Sequence, residues 1–188
     1  MKALYTSIFG LIFVVGLSLT ACQRSDDVEA AREPDRADRA MNLTADEKEF
    51  VEYAAEMHTG EIKLAELAKQ KSSNEDVKNY ADAVIDVHKD ALKDLSNSIG
   101  HQQTTNASLD TENHAKYLSP LSGAKFDQEF IALMIADHKD AANTFSDQLG
   151  KVQNKELTSY MKEVQPSLEK SLSEAQQVQR DVTTAKSR

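Results

Sequence analysis

The sequence contains no tryptophan, one cysteine, three prolines and six glycines, and aromatic residues make up 6% of its 188 positions. Proline and glycine punctuate turns, so their scarcity argues against many short strands and for a few long elements. A lone cysteine excludes an intrachain disulfide. Positive charge is also in short supply: 22 Lys and Arg face 31 Asp and Glu, a formal charge of −9. An acidic surface repels phosphate backbones, so nucleic acid is not expected as a partner. No Ser-His-Asp pattern, phosphate-cradling glycine loop or zinc signature is present, which removes the usual grounds for a hydrolase or a nucleotide enzyme.

The single cysteine is informative through its position. Lys2 precedes an apolar run from Ile8 to Leu17, the layout of an export signal covering residues 1–21. Leu19-Thr20-Ala21-Cys22 then resembles the lipobox of bacterial lipoproteins. That resemblance implies cleavage before Cys22 and acylation of Cys22, giving a membrane partner through a lipid anchor. Two alternatives stay open: an ordinary signal peptide, or an uncleaved anchor helix, since Leu4 to Ala21 reaches the length of a spanning segment. Gln23 after the cysteine implies, by resemblance to enteric lipoproteins, a periplasm-facing position on the outer membrane. Residues 22–43 are charged and poor in large apolar side chains, as in Arg32-Glu33-Pro34-Asp35-Arg36, and read as a flexible tether.

From Leu43 onward Ala, Leu, Lys, Glu and Gln dominate, all good helix formers. Thr44 with Glu47 forms a capping box. Phe50, Ala54, Met57, Glu61, Leu64 and Ala68 follow at steps of four and three, one face of a first helix ending near Lys71. Ser73 with Asp76 is expected to cap a second helix from about Asn74, presenting Val77, Tyr80, Val84, His88, Leu92, Leu95 and Ile99 before Gly100 stops it. A long connection, with a short helix over about 110–119, leads to a third helix from near Ala124 with Phe126, Phe130, Met134, His138, Ala141 and Phe145. A fourth starts after Asn154 and shows Leu157, Tyr160, Val164, Leu168, Leu172 and Ala175, with Pro166 expected to kink it. The apolar pattern fades past Arg180, so the bundle is placed at residues 44–182 with a frayed tail over 183–188. Two short turns and one long central crossover predict an all-α, ferritin-like four-helix bundle in which the second and third long helices run parallel.

Three inward positions are polar: Glu61, His88 and His138. His88-Lys89-Asp90-Ala91 recurs as His138-Lys139-Asp140-Ala141 at an offset of 50, each histidine 14 residues beyond the expected start of its helix. In a bundle with those helices parallel, both imidazoles lie at one depth. Reflection through the turns adds His58, near Glu61, and Asp137 to the same layer, and brings Gln165 and Pro166 close. Two imidazoles and a carboxylate suit a divalent transition metal such as Zn, Cu, Fe or Ni. A metal site at Glu61, His88, Asp137 and His138 is one reading; a self-satisfied hydrogen-bonded network is the other. His101 and His114 fall in the connection and are expected to be solvated. A carboxylate-bridged di-iron centre is not expected, because Ile85 and Ile135 stand three residues before the histidines, where that chemistry needs glutamates.

Several stretches resemble the ferritin-like DUF4142 family, whose members are often described as outer membrane or periplasmic proteins. They are Phe50-Val51-Glu52-Tyr53-Ala54-Ala55, Glu61 to Ala68, Val77-Lys78-Asn79-Tyr80-Ala81, Leu121-Ser122-Gly123-Ala124-Lys125-Phe126-Asp127, Asp137-His138 and Gln165-Pro166-Ser167-Leu168. The resemblance implies the fold and an envelope location and no defined activity. It also implies an aspartate before the first histidine, where Val87 stands, and a histidine near Ser171. Three functions follow as expectations. The first is a non-enzymatic, membrane-tethered binding or stress-associated envelope module. The second is a metal- or oxidant-handling bundle, and the third a ligand-free scaffold for an envelope protein partner.

Overall fold

A computed structural model describes residues 43–100 and 109–185. The expected signal segment, Cys22, the tether and His101 lie outside the described residues. All the described residues belong to one compact unit. They form five helices and no strand: α1 (Ala45–Lys71), α2 (Glu75–Ile99), α3 (Leu109–Leu118), α4 (Gly123–Leu149) and α5 (Lys155–Ala185). Among them no helix is long and apolar enough to cross a membrane.

The helix starts follow from side-chain capping. Thr44 Oγ1 accepts from the Glu47 N–H at 3.2 Å and the Glu47 carboxylate accepts from the Thr44 N–H at 2.9 Å, closing the capping box. Glu47 does more than the pattern shows. Its Oε1 also accepts from the N–H groups of Gln153 and Asn154, both at 2.8 Å, so the α4–α5 turn is tied to the start of α1. Burial pushes the Glu47 carboxyl up, but the backbone donors of Thr44, Asn154 and Gln153 prevail and hold it below its usual range.

At α2 the cap is Asn74, not Ser73: its Oδ1 accepts from Asp76 N–H at 2.9 Å and Val77 N–H at 3.4 Å. The helix therefore starts one residue later than a Ser73 cap would give: Ser72, the C-cap of α1, is buried, and its Oγ accepts from Asn74 N–H. Gly100 ends α2 in the left-handed region at φ 70°, where only glycine is unstrained. Pro166 sits on an exposed face of α5, and the helix continues through it to Ala185. Past Arg180, Val182 is still buried against the core, within the bundle bounds expected from the sequence.

Two apolar clusters fix the topology. One joins the end of α1 (Leu64, Ala65, Ala68), the start of α2 (Val77, Tyr80, Val84), the start of α4 (Phe126, Phe130, Met134) and the end of α5 (Ala175, Val182). The other joins the start of α1 (Phe50, Ala54), the end of α2 (Leu95, Ile99), the end of α4 (Phe145) and the start of α5 (Leu157, Met161, Leu168). Helices α1 and α5 therefore run one way and α2 and α4 the other. The connection containing α3 must return the chain along the bundle between two parallel helices, as a ferritin-like topology requires. Helix α1 packs on α2 and α4, and α5 packs on the same two. Between the two clusters lies a polar layer.

Candidate metal centre

The helical periods of α1, α2 and α4 each place a polar residue at the seam between the apolar clusters. His58 and His88 are 0% exposed, His138 1% and Glu61 4%. Such groups carry a large cost unless each finds a partner.

The rings satisfy one another. His138 Nδ1 lies 2.8 Å from the Met134 carbonyl oxygen, which can only accept, so this nitrogen carries the hydrogen. His138 Nε2 is then a free lone pair, 3.3 Å from His88 Nε2, which donates to it. His88 Nδ1 in turn accepts from His58 Nδ1 at 2.9 Å, and His58 Nε2 accepts from the Tyr160 hydroxyl at 2.7 Å. A single direction of donation runs from Tyr160 through three neutral imidazoles to the Met134 carbonyl. Burial pushes the His58 ring down to about 3, with His138 adding to the effect. It also lowers His88 well below the usual value, with His58 and His138 contributing, and lowers His138. Neutral rings are what the hydrogen-bond directions demand, and what metal ligation needs.

Glu61 is left out of this chain. Its Oε2 is buried and accepts no hydrogen bond from the described residues; the nearest ring nitrogen, His138 Nδ1, is 4.0 Å away and already donates to Met134. Burial, with Asp137 nearby, drives the Glu61 carboxyl well above the ordinary range. The Tyr80 hydroxyl is similarly buried without an acceptor. One donor atom each from Glu61, His88 and His138 lies within 4.8 Å of the other two. The His88–His138 separation of 3.3 Å matches the edge of a tetrahedron around an ion with bonds of about 2.0–2.1 Å to nitrogen. The His138 Nδ1 bond to a backbone carbonyl is the outer contact that orients a ligating imidazole.

Asp137 does not join this layer. Successive residues on a helix point about 100° apart, so Asp137 cannot share the inward face of His138. Its Oδ2 instead lies 3.5 Å from Nδ1 of His114. His114 is accordingly corrected from a solvated loop residue to a half-buried residue of α3. Asp86 is exposed and Val87 half-buried, while Ser171 is buried on α5. His58, which reflection through the turn adds to this layer, is a full member of the hydrogen-bonded chain. Tyr160 was legible only as an apolar face position. The reflection pointed to Gln165 and Pro166, and a phenol ring that reaches across the core carries no mark in the sequence spacing.

No curated protein and no solved structure matches the chain. Residues 32–178 match the family described as domain of unknown function DUF4142. That stretch takes in α1 to α4 and most of α5, with Glu61 and the three buried histidines inside it, and the chain belongs to the DUF4142 family.

Proposed function

We propose that this chain is a membrane-tethered, non-enzymatic binding module of the cell envelope whose bundle takes up one divalent transition metal ion at Glu61, His88 and His138. The observation that carries this reading is Glu61 Oε2, a buried acceptor without a donor among the described residues, on a residue that clusters at ligand spacing with His88 and His138, whose Nε2 atoms lie 3.3 Å apart. A purely structural network would pair that carboxyl, because an unsatisfied buried oxygen costs about 1–3 kcal/mol. A cation supplies what the oxygen lacks.

Metal binding would reverse the hydrogen-bond chain without charging a ring. Glu61 would give up its proton to solvent. The His88 hydrogen would move to Nδ1 and donate to His58 Nδ1, His58 would carry its hydrogen on Nε2 toward the Tyr160 oxygen, and the Tyr160 O–H, which now donates to His58, would have to turn to another acceptor. Each ring stays neutral, and His138 keeps its bond to Met134. Two nitrogens and one oxygen from the protein leave a position for water, as at borderline metals such as Zn²⁺. The envelope location rests on the segment up to Cys22 and its lipobox-like pattern.

Elemental analysis of protein purified without chelators tests the site. One equivalent of metal is expected, lost in Glu61→Gln and in His88→Ala; a parent that also takes up no added Zn²⁺ would sink the reading. Incorporation of labelled fatty acid, abolished in Cys22→Ser, tests the anchor. A second reading has its own support. The unbroken chain from Tyr160 to Met134 satisfies every ring without metal, so the histidines can serve as a register-fixing network. In that case Glu61→Gln leaves metal content at zero and changes only stability.

A further inference from the structure

The buried donors need a path to water, and one side of the bundle provides it. A cavity of about 290 Å³ opens between α1, α3 and α4, and Glu61 forms part of its wall. Four further carboxylates line it: Glu56 from α1, Asp110 from α3, and Asp137 and Asp140 from α4, with His114 beside Asp137. Asp110 and Asp140 are exposed, Glu56 and Asp137 half-buried, and Glu61 is buried, so the acidic groups step inward from solvent to the metal layer. No Lys or Arg lines the cavity among the described residues.

We infer that this acidic cleft is the entry route by which a hydrated divalent cation reaches Glu61; the inference rests on the metal reading above. Two independent features carry it: the run of carboxylates, and the unpartnered Glu61 oxygen at its inner end. A water occupies about 30 Å³ in the liquid, so the cavity has room for an ion with its first shell of waters. Among the described residues the three-donor cluster with ligand spacing is Glu61, His88 and His138. The outer carboxylates therefore attract the ion without chelating it, and low-dielectric walls of one charge sign focus the field on the mouth.

Helix α3 builds the outer wall, and its seating depends on a glycine. At Gly60 of α1 a Cβ would collide with the Thr111 hydroxyl of α3. The absent side chain lets α3 lie close against α1 while Asp110 stays at the rim.

The test is stopped-flow binding of Co²⁺, read by its visible absorption, to the full chain stripped of metal. The double variant Asp110→Asn/Asp140→Asn removes two rim charges and no ligand. Its association rate is expected to fall about tenfold at low salt, with a weaker ionic-strength dependence and one equivalent still bound at saturation. Glu163→Gln/Glu169→Gln, which removes the same charge from exposed positions on α5, is expected to keep the parent rate. If the rim variant associates at the parent rate with the parent salt dependence, or if both variants slow equally, the entry route is overturned while the metal site stands. A parent that binds no Co²⁺ overturns the site and the route together.

Discussion

Replacing Glu61 with leucine should make the metal-free bundle more stable and the metal-loaded comparison less so. In the metal-free protein the carboxyl brings a buried oxygen with no donor, a cost of about 1–3 kcal/mol. Leucine has a similar volume and no polar atom, and the His58–His88–His138 chain does not use Glu61 as a partner. A net gain of about 2 kcal/mol is expected, or about 6 °C in Tm for a domain of this size. The gain should widen with pH. The Glu61 carboxyl is raised in the folded state above its unfolded 4.5. Between those two values the folded protein therefore binds more protons than the unfolded chain, and the parent loses stability as pH rises. Leucine has no such dependence. Metal reverses the order: a ligand at a hundred times its Kd adds about 2.7 kcal/mol to the parent alone. The assay is urea unfolding followed by circular dichroism, after chelator treatment and again with excess Zn²⁺. A metal-free Glu61→Leu protein clearly less stable than its parent would refute the reasoning, because the carboxyl would then be a satisfied structural group. Retained Zn²⁺ stabilisation in the variant would refute its role as a ligand.

Two further outcomes follow from the same layer and from its neighbour at the bundle end. The buried rings must charge when the chain unfolds in acid: unfolded His58 takes its proton near 6.5 and folded His58 only near 3. Stability is thus lost as pH falls through that window, by about 5 kcal/mol from this residue alone at about 1.4 kcal/mol per unit. That is comparable with the whole stability of many domains. His88 and His138, shifted the same way, outweigh the opposing slope of Glu61. The urea midpoint of chelated protein should fall steadily from pH 6.5 toward pH 4, and a flat profile would mean that the folded rings are already charged. At the other end, Glu47→Ala removes the acceptor for the Thr44, Gln153 and Asn154 N–H groups. A loss of about 2–4 kcal/mol is expected at pH 7. Because this carboxyl is held below its usual range, its contribution is present above about pH 4.5 and fades in more acidic solution. A change under about 0.5 kcal/mol in urea unfolding would show that the three donors find other acceptors.

Much of this architecture is local chemistry written along the chain. The steps of three and four in α1, the capping box of Thr44 and Glu47, and Gly100 after α2 are decided by neighbours in sequence, and they fixed the helices to within a residue or two. The repeated His-Lys-Asp-Ala stretch and the length of the crossover were enough to bring His88 and His138 to one depth, since depth in a bundle is residue count multiplied by rise. Facing and reach were another matter. Whether Asp137 or Glu61 looks at His138 depends on the rotation of α1 and α4 about their own axes. Tyr160 joins His58 through the span of its ring, and α3 brings Asp110 and His114 onto α1 and α4 only after docking beside Gly60. Above all, only the packed interior shows that three imidazoles satisfy one another and leave the Glu61 oxygen alone: hydrogen-bond partnership is set by separations of about 3 Å, far finer than the spacing of residues along a sequence.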